Sequence, residues 1–335
     1  MSQKFKETGR SMSQRSRDIT YVGIRRHPND LRNLIRNSIS ESGLTFHEVE
    51  YESAVGEINA AFQDSKAVLF APGRFLPTHV FVENRHLKLL QLWSSGYDKF
   101  NLAAARECQL AVANNGGANS IAVAEHTLML MLAVYKRLPE MHQRVVNGNW
   151  SGNSHGMNMF LLHKKTLGLI GLGAIGTKVA RLATAFGMRV VYFDLTRKPD
   201  LESELGIEFW NLPELLEISD VVSLHLHLSA ESHHLLNKSR IENMKPGAVI
   251  INVSRGQLVD NEALLAALNS GHLGGAGFDV YDVEPTEPGN PLTSHPNVVC
   301  TPHSANTLDT HKMALEASIS NLKNVLAGGV PKWLI

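Results

Sequence analysis

Cysteine is scarce in this chain of 335 residues, which contains only Cys108 and Cys300. Two cysteines so far apart in the sequence make a poor disulfide framework, and no Cys-x-x-Cys pair suggests zinc. No histidines and cysteines are clustered with the spacing of metal ligands either. We therefore expect no metal site, and we expect a reducing, cytoplasmic location.

An excess of charge of one sign is also absent, because 32 Lys and Arg residues balance 32 Asp and Glu residues. A chain without net charge has no general attraction to nucleic acid or to an acidic membrane surface. The longest apolar run, around Ile121 to Val134, is interrupted by Glu125 and His126 and is too short to span a bilayer. The composition thus predicts neither a nucleic-acid partner nor a membrane partner.

The start of the chain lacks an apolar segment. It reads MSQKFKETGRSMSQRSRD, a polar stretch of mixed charge that is not typical of a secretory signal. We interpret residues 1–19 as a disordered tail, since the first strand-like segment is predicted from Thr20.

From Thr20 onward, strand-like and helix-like segments alternate. A first series runs from ITYVGI to QLAVANN, and a second runs from TLGLIGLG, at Thr166, to NVVCTP. Such alternation is typical of parallel strands joined by crossover helices, and therefore of the α/β class. Two series also fit the two domains that a chain of this length allows.

The helical segment between the two series, Ile121 to Leu138, is apolar on more than one face. One domain usually covers only a stripe about 100° wide, so the rest of this helix needs another cover. A second subunit related by a two-fold axis would provide it. We predict a homodimer whose interface includes Leu128, Met131 and Leu132 or their neighbours; a helix covered wholly by its own chain is the alternative.

A glycine motif follows the first strand of the second series directly and opens a helix. Gly171 permits a tight turn, Gly173 lets a pyrophosphate approach the backbone, and Gly176 allows helix and strand to pack closely. The free N–H groups at the start of the helix would bind the phosphates. The motif predicts a dinucleotide site, although glycines also mark ordinary turns between a strand and a helix.

Asp194 stands at the end of the next strand-like segment, 21 residues after Gly173 (194 − 173). An acidic residue about 20 residues after the glycines binds the ribose hydroxyls of NAD. Its charge also repels the 2′-phosphate of NADP, which Arg197 could partly offset. We therefore predict NAD as the cofactor, although a solvated carboxylate at a strand end is the simpler alternative.

Three ionisable residues, Arg255, Glu284 and His303, lie just past later strand-like segments. Ligands of open α/β sheets bind outside the carboxyl ends of the strands, so the three can converge there. Reduction of a keto acid needs a proton donor, and histidine titrates in the right range. A carboxylate can orient the imidazole, and a guanidinium can hold a substrate carboxylate. Taken singly, each could instead be a surface or structural residue.

Several longer motifs, spread from about Val68 to the C-terminus, carry a resemblance to a known family. They read SSGYDKFNL, GGANSIAVAEH, KTLGLIGLGAIG, SDVVSLHLHLSAES, MKPGAVIINVSRGQLVDNEAL, GAGFDVYDVEP and TPHSA. With these motifs the chain resembles the D-isomer-specific 2-hydroxyacid dehydrogenases. The resemblance implies a Rossmann nucleotide-binding domain inserted into a flavodoxin-like substrate domain, with the active site between them. We expect the substrate domain over 20–119 and 307–335, and the NAD-binding domain over 120–306.

The resemblance also assigns roles to single residues. It implies that Arg255, Glu284 and His303 are catalytic, with Arg255 also binding the substrate. Ser95 and Gly96 match the loop whose backbone N–H groups bind the substrate carboxylate.

Further positions are expected to contact the cofactor. Ala174 and Ile175 would lie under the pyrophosphate, and Val253 and Asp279 would face the nicotinamide. Ser232 stands where the family usually has Thr near the cofactor.

One position departs from the family pattern. The family commonly reads LHVP after the strand that ends near Leu224, whereas this chain reads LHLH. His227 thus replaces the usual Pro beside the adenine, which leaves the shape of that loop open.

The implied activity is direct hydride transfer between C4 of the nicotinamide and C2 of a small 2-hydroxy acid or its 2-keto acid. His303 would act as general acid in reduction and as general base in oxidation. An NAD(H)-sensing regulatory or scaffold protein of the same fold is the alternative. Formate oxidation is disfavoured, because that chemistry pairs Gln with His and this chain has Glu284.

The motifs do not distinguish between several small 2-hydroxy acids as the substrate. Glyoxylate, hydroxypyruvate, 3-phosphoglycerate and a sugar-derived acid all fit the implied chemistry. The pocket for the substrate's side chain is expected around Pro72 to Phe75 and Trp93 to Tyr97. Arg74 could hold a second anionic group there, and a solvated loop residue is the equal alternative.

Overall fold

The computed structural model describes residues 17–25, 27–71, 75–150, 152 and 158–335. Most of the predicted tail therefore lies outside the described residues, as do Pro72 and Arg74 of the predicted substrate pocket. The prediction was wrong for the end of the tail, because the first strand already begins at Arg17. Arg17 pairs with Ser65 and Ile19 with Ala67 of a neighbouring strand, which extends the strand toward the N-terminus.

The described residues form parallel strands and helices in alternation. The strands are β1 (Arg17–Gly23), β2 (Phe46–Glu50), β3 (Ser65–Phe70), β4 (Leu90–Leu92), β5 (Val112–Ala113), β6 (Thr166–Ile170), β7 (Arg189–Phe193), β8 (Glu208–Phe209), β9 (Val221–Leu224), β10 (Val249–Asn252), β11 (Gly275–Phe278) and β12 (Val298–Cys300).

The helices occupy most of the connections. They are α1 (Asn29–Glu41), α2 (Val55–Gln63), α3 (Thr78–Glu83), α4 (Leu102–Glu107), α5 (Ser120–Tyr135), α6 (Leu138–Val146), α7 (Ala174–Ala185), α8 (Pro199–Leu205), α9 (Leu212–Ile218), α10 (Lys238–Glu242), α11 (Asn261–Asn269) and α12 (Leu308–Leu326).

The chain divides into two compact units. The first comprises Met1–Gly116 and Ala314–Ile335, and the second comprises Gly117–Met313. The sequence placed these boundaries after residues 119 and 306, whereas the structure places them after 116 and 313. The second boundary lies inside α12. No loop separates the two units there, so the sequence pattern contains no sign of this boundary.

The first unit is built on a five-stranded parallel sheet with the strand order β2-β1-β3-β4-β5. This order is that of flavodoxin-like folds. Most residues of β1 and β3 are buried, since helices cover both faces of a parallel sheet. The last part of α12 contributes Leu315, Ile319 and Leu322 to one core of this unit.

The second unit is built on a seven-stranded parallel sheet with the order β12-β11-β10-β9-β6-β7-β8. The chain runs outward from β6 to β8 and then returns to the other side of β6 with β9. This is the Rossmann arrangement, so the predicted α/β fold class is confirmed. The order reverses between β6 and β9, and the carboxyl ends of these strands mark the expected ligand crevice.

Helix α5 packs its apolar residues unevenly. Met131 is fully buried within the core of its own unit, so the prediction that it faces a second subunit was wrong. The exposed side carries Ile121, Glu125 and Met129 at intervals of four residues, with Leu132 at its edge. An almost wholly apolar helix gives no periodicity from which its buried side could have been identified.

Two further features bear on the predicted partners. None of the helices formed by the described residues is long and apolar enough to cross a membrane. Within the same part of the chain, no group of three or more His, Cys, Asp or Glu side chains could hold a metal ion.

Candidate active site

The glycine loop between β6 and α7 is shaped by close backbone contacts. Gly171 has a φ of +96°, and a Cβ there would clash with the backbone oxygen of His225. A Cβ at Gly176 would clash with the backbone oxygen of Gly171. At Gly173, by contrast, no described atom lies within 4 Å of the Cβ position.

This arrangement fits a dinucleotide. Gly173 precedes the first residue of α7, Ala174, so open space lies next to the N–H groups at the start of a 12-residue helix. Such N–H groups and the helix dipole bind phosphate. Ala174 and Ile175 lie in the first turn of this helix, as their predicted place under the pyrophosphate requires.

Asp194, directly after β7, is attached to the glycine loop. Its Oδ2 accepts a hydrogen bond of 2.8 Å from the Leu172 N–H. Arg197 is engaged elsewhere, because its guanidinium binds both carboxylate oxygens of Glu202, at 2.9 and 2.7 Å. Hydrogen bonds from Arg197 and then from the Tyr192 hydroxyl hold the pKa of Glu202 below its usual range. Because Glu202 balances the charge of Arg197, we expect Arg197 to offset the negative charge of Asp194 only slightly.

The loop after β9 is held together by Ser232. The Ser232 hydroxyl donates to the His227 carbonyl, at 2.9 Å, and accepts from the Ser229 N–H, at 2.7 Å. Ser232 is buried, whereas His227 is exposed. The cofactor contacts predicted for both residues stay predictions, but Ser232 has a defined structural task in shaping this loop.

His225, which sequence reasoning did not single out, closes the other side of the glycine loop. Its backbone oxygen is the atom that excludes a side chain at Gly171. Its Nε2 lies 2.9 Å from the Ser223 hydroxyl, and burial lowers the pKa of the ring to about 3. The imidazole therefore stays neutral beside the expected pyrophosphate site.

Asp279 directly follows β11 and is almost fully buried. Val253 directly follows the neighbouring strand β10 and is half-buried. Asp279 Oδ1 accepts from Thr301 Oγ1 at 2.6 Å and from the Ser304 N–H at 2.8 Å, and its Oδ2 accepts from the Ala305 N–H at 3.3 Å.

The charge of Asp279 is stabilised by these donors. Burial raises the pKa of its carboxyl, but the nearby His126 imidazole, the Thr301 hydroxyl and the Ser304 N–H outweigh burial, so the pKa lies below its usual range. Asp279 therefore stays ionised and organises the loop after β12. Its predicted contact with the nicotinamide stays a prediction.

Arg255 follows β10 in a segment that approaches another loop closely. Its Nη1 donates to the Ser254 carbonyl at 2.6 Å, and its own carbonyl accepts from Asn252 Nδ2 at 2.8 Å. A Cβ at the next residue, Gly256, would clash with the backbone of Tyr281 and its neighbour. Only glycine therefore allows the Arg255 segment to pack against the segment that leads to Glu284.

Glu284 and His303 form the central pair of the site. His303 Nδ1 lies 2.8 Å from Glu284 Oε2, and Glu284 Oε1 accepts from the Tyr281 N–H at 3.0 Å. His303 has a φ of +51°, and about half of its side chain is exposed. With Nδ1 directed to a carboxylate, the imidazole carries its proton there and has Nε2 on its opposite side for a reacting group.

The sheet explains why Arg255 lies at the same edge of the second unit as the Glu284–His303 pair. They lie beyond the carboxyl ends of β10, β11 and β12, which are neighbours in the second unit. The glycine loop lies at the carboxyl end of β6 in the same sheet. His303, the Arg255 guanidinium and the glycine loop thus lie at one edge of the sheet.

Ser95 and Gly96 lie in the first unit, after β4. Ser95 Oγ donates to Asn115 Oδ1 at 2.7 Å, and the Ser95 carbonyl accepts from Asn114 Nδ2 at 3.2 Å. Ser94 Oγ donates to the Gly96 carbonyl at 2.7 Å. The two asparagines were missed by sequence reasoning; their only signal was their place directly after a strand-like segment.

Comparisons with known proteins identify a family model and several similar proteins. A family model described as D-isomer specific 2-hydroxyacid dehydrogenase, NAD binding domain, matches residues 128–305. A glyoxylate reductase of Thermococcus onnurineus is 34% identical over 317 residues, which cover 90% of this chain and 95% of that protein. A glyoxylate reductase of Korarchaeum cryptofilum is 36% identical over 263 residues, 78% of this chain and 79% of that protein. The solved structure of a glyoxylate reductase from Paecilomyes thermophila is similar with a TM-score of 0.82 and 27% identity, covering 96% of this chain and 98% of that one.

The position of Asp194 generates a prediction about cofactor choice. Asp194→Asn keeps an acceptor for the Leu172 N–H but removes the charge. Hydrogen bonds to charged groups contribute about 1.5–3 kcal/mol, so the Kd for NADH should rise about tenfold or more. The preference over NADPH should narrow, as fluorescence titration of both nucleotides would measure.

Arg197→Ala is the matched control for this experiment. Because Arg197 already binds Glu202, its removal should change neither Kd by more than about twofold. Tighter binding of NADPH than NADH by the wild-type protein would contradict the interpretation of Asp194.

Proposed function

The chain belongs to the D-isomer-specific 2-hydroxyacid dehydrogenase family, and we propose on this premise that it reduces glyoxylate with NADH. It is an NAD-dependent 2-hydroxyacid dehydrogenase. The curated relatives described above support glyoxylate as the substrate, because both are glyoxylate reductases that align over most of their length. The main structural support for this reaction is the 2.8 Å hydrogen bond between Glu284 Oε2 and His303 Nδ1.

Each residue of the pair has a defined task in this proposal. When bound, the nicotinamide supplies the hydride for reduction. His303 donates the proton from Nε2 to the carbonyl oxygen of the substrate, which becomes the hydroxyl of the product. Glu284 holds Nδ1 and stabilises the charged imidazolium before the proton is transferred.

Arg255 supplies positive charge at the same edge of the sheet. A guanidinium binds a carboxylate through two parallel hydrogen bonds and can polarise a neighbouring carbonyl. We therefore assign Arg255 to the carboxylate and carbonyl of the 2-keto acid. The backbone of Ser95 and Gly96 stays the predicted second ligand of that carboxylate.

A regulatory protein that only senses NAD(H) would need the glycine loop and Asp194 but not a paired acid and base. The Glu284–His303 bond, together with Arg255 beyond a neighbouring strand, therefore supports turnover over sensing. Loss of either side chain would not impair NAD(H) binding by a sensor, so a sensor would not need the Glu284–His303 pair.

The substrate proposal predicts a clear order of activities with NADH. A pocket fitted to glyoxylate discriminates against one additional methyl group by about 10- to 200-fold. The kcat/KM for glyoxylate should thus exceed that for pyruvate by at least about tenfold in initial-rate measurements. A preference for pyruvate, or for a phosphorylated or sugar-derived acid, would contradict glyoxylate as the substrate. Binding of NADH without turnover of any acid would favour the sensor.

We also propose that the chain is a homodimer that pairs through α5. An apolar groove of about 560 Å³ lies on the second unit, bounded by α5, the start of α6 and the end of α7. Its lining includes Leu128, Met129 and Leu132 of α5, and Leu182 and Phe186 at the end of α7.

Charge at the ends of this groove supports a second copy as its occupant. Glu125 and Lys136 lie 11 residues apart on or next to α5, and both line the groove. A two-fold axis across the helix would place Glu125 of one copy opposite Lys136 of the other. The surface is therefore complementary to itself, as the interface of a two-fold dimer must be.

The dimer prediction can be tested with charged substitutions on the exposed side of α5. Light scattering at micromolar concentration should give about twice the chain mass of 36.9 kDa. Met129→Glu and Leu132→Glu should shift the protein toward the monomer, because each would bury a charge without a partner. Val330→Glu, at an exposed apolar residue of the first unit, is the control and should leave the mass unchanged. A wild-type mass near that of one chain would refute the dimer.

A further inference from the structure

A buried polar network connects α5 to the loop that carries His303. His126 points inward from α5, and its side chain is 11% exposed. Its Nε2 lies 2.9 Å from Thr301 Oγ1 and 3.4 Å from Asp279 Oδ1. The Asp279 side chain is 1% exposed, so its charge depends on donors from the protein.

The direction of the hydrogen bonds in this network follows from the number of protons. Asp279 is ionised, so it only accepts, and Thr301 Oγ1 uses its one proton in the 2.6 Å bond to Asp279. His126 Nε2 must therefore donate to Thr301 Oγ1. The bonds run in one direction, from the imidazole through the hydroxyl to the carboxylate.

The same carboxylate holds the backbone on the far side of His303. Its two oxygens accept the N–H groups of Ser304 and Ala305, at 2.8 and 3.3 Å. On the near side, the His303 N–H donates to the Thr301 carbonyl at 3.1 Å. The left-handed turn at His303 is thus fixed at both ends by Thr301 and Asp279, the two residues that His126 contacts.

We propose that His126 is a positioning residue for the reaction: its Nε2–H holds Thr301 and Asp279 in the arrangement that keeps the His303 turn in place. The inference rests on the proposed function, because it assumes that His303 transfers the proton. His126 acts only through these neighbours and touches no reacting atom in this assignment.

Two substitutions separate hydrogen bonding from packing at this position. His126→Met fills much of the same space but has no N–H, so Thr301 and Asp279 lose a donor. His126→Gln places an amide N–H near the position of Nε2 and should restore the bond. Thr127→Val is the matched control on the same helix, since the buried Thr127 hydroxyl donates only to the Val123 carbonyl within α5.

Steady-state kinetics with glyoxylate and NADH provide the first test. A displacement of about 1 Å can cost about a hundredfold in rate, so kcat of His126→Met should fall by about ten- to a hundredfold. The KM for glyoxylate should change by less than about threefold. His126→Gln should recover kcat to within about threefold of the wild type, and Thr127→Val to within about twofold. A His126→Met variant with near-normal kcat, or a His126→Gln variant as slow as His126→Met, would overturn the proposal.

Hydrogen exchange provides a second test that needs no turnover. The Ser304 and Ala305 amides should exchange about tenfold faster in His126→Met, and at the wild-type rate in His126→Gln and Thr127→Val. Unchanged exchange in His126→Met would overturn the proposal whatever the kinetics. If the wild type reduced no keto acid but this exchange pattern appeared, the proposed function would fail and the structural coupling would stand.

Discussion

The turn at His303 is the constraint on which the rest of the site depends. A non-glycine residue with a φ of +51° is unfavourable unless its surroundings hold it. Here the ring is bonded to Glu284, and the backbone on either side is bonded to Thr301 and Asp279. Because a proton donor must lie at a defined distance from the atom it protonates, the proposed role of His303 depends on this turn.

The nucleotide end of the site depends on a different constraint, the close approach of backbone segments. Gly171 and Gly176 leave no room for a side chain, whereas Gly173 opens onto free space among the described residues. Gly256 likewise leaves no room for a side chain, because the Arg255 segment packs directly on the segment before Glu284. Gly171, Gly176 and Gly256 therefore allow backbone segments to approach closely at this edge of the sheet.

Local patterns were sufficient to predict the alternation of strands and helices, the glycine turn between a strand and a helix, and the position of Asp194 at a strand end, because each depends on neighbours in the sequence. The roles of Arg255 and the Glu284–His303 pair rest on the resemblance between motifs, since spacing alone does not show which loops meet. The position of His126 was not predictable, because its partner Asp279 is 153 residues away (279 − 126). The inward side of α5 was equally hidden, because the helix is apolar nearly all round.

In the proposed reaction, the Glu284–His303 pair supplies the proton for reduction of a small 2-keto acid. The most direct measurement is the kcat of His303→Ala for NADH oxidation with glyoxylate, with exposed His79→Ala as the control. We expect a fall of about 10²- to 10⁴-fold for His303→Ala, an unchanged Kd for NADH, and normal kcat for His79→Ala. Turnover of His303→Ala near the wild-type rate would contradict this role of the pair.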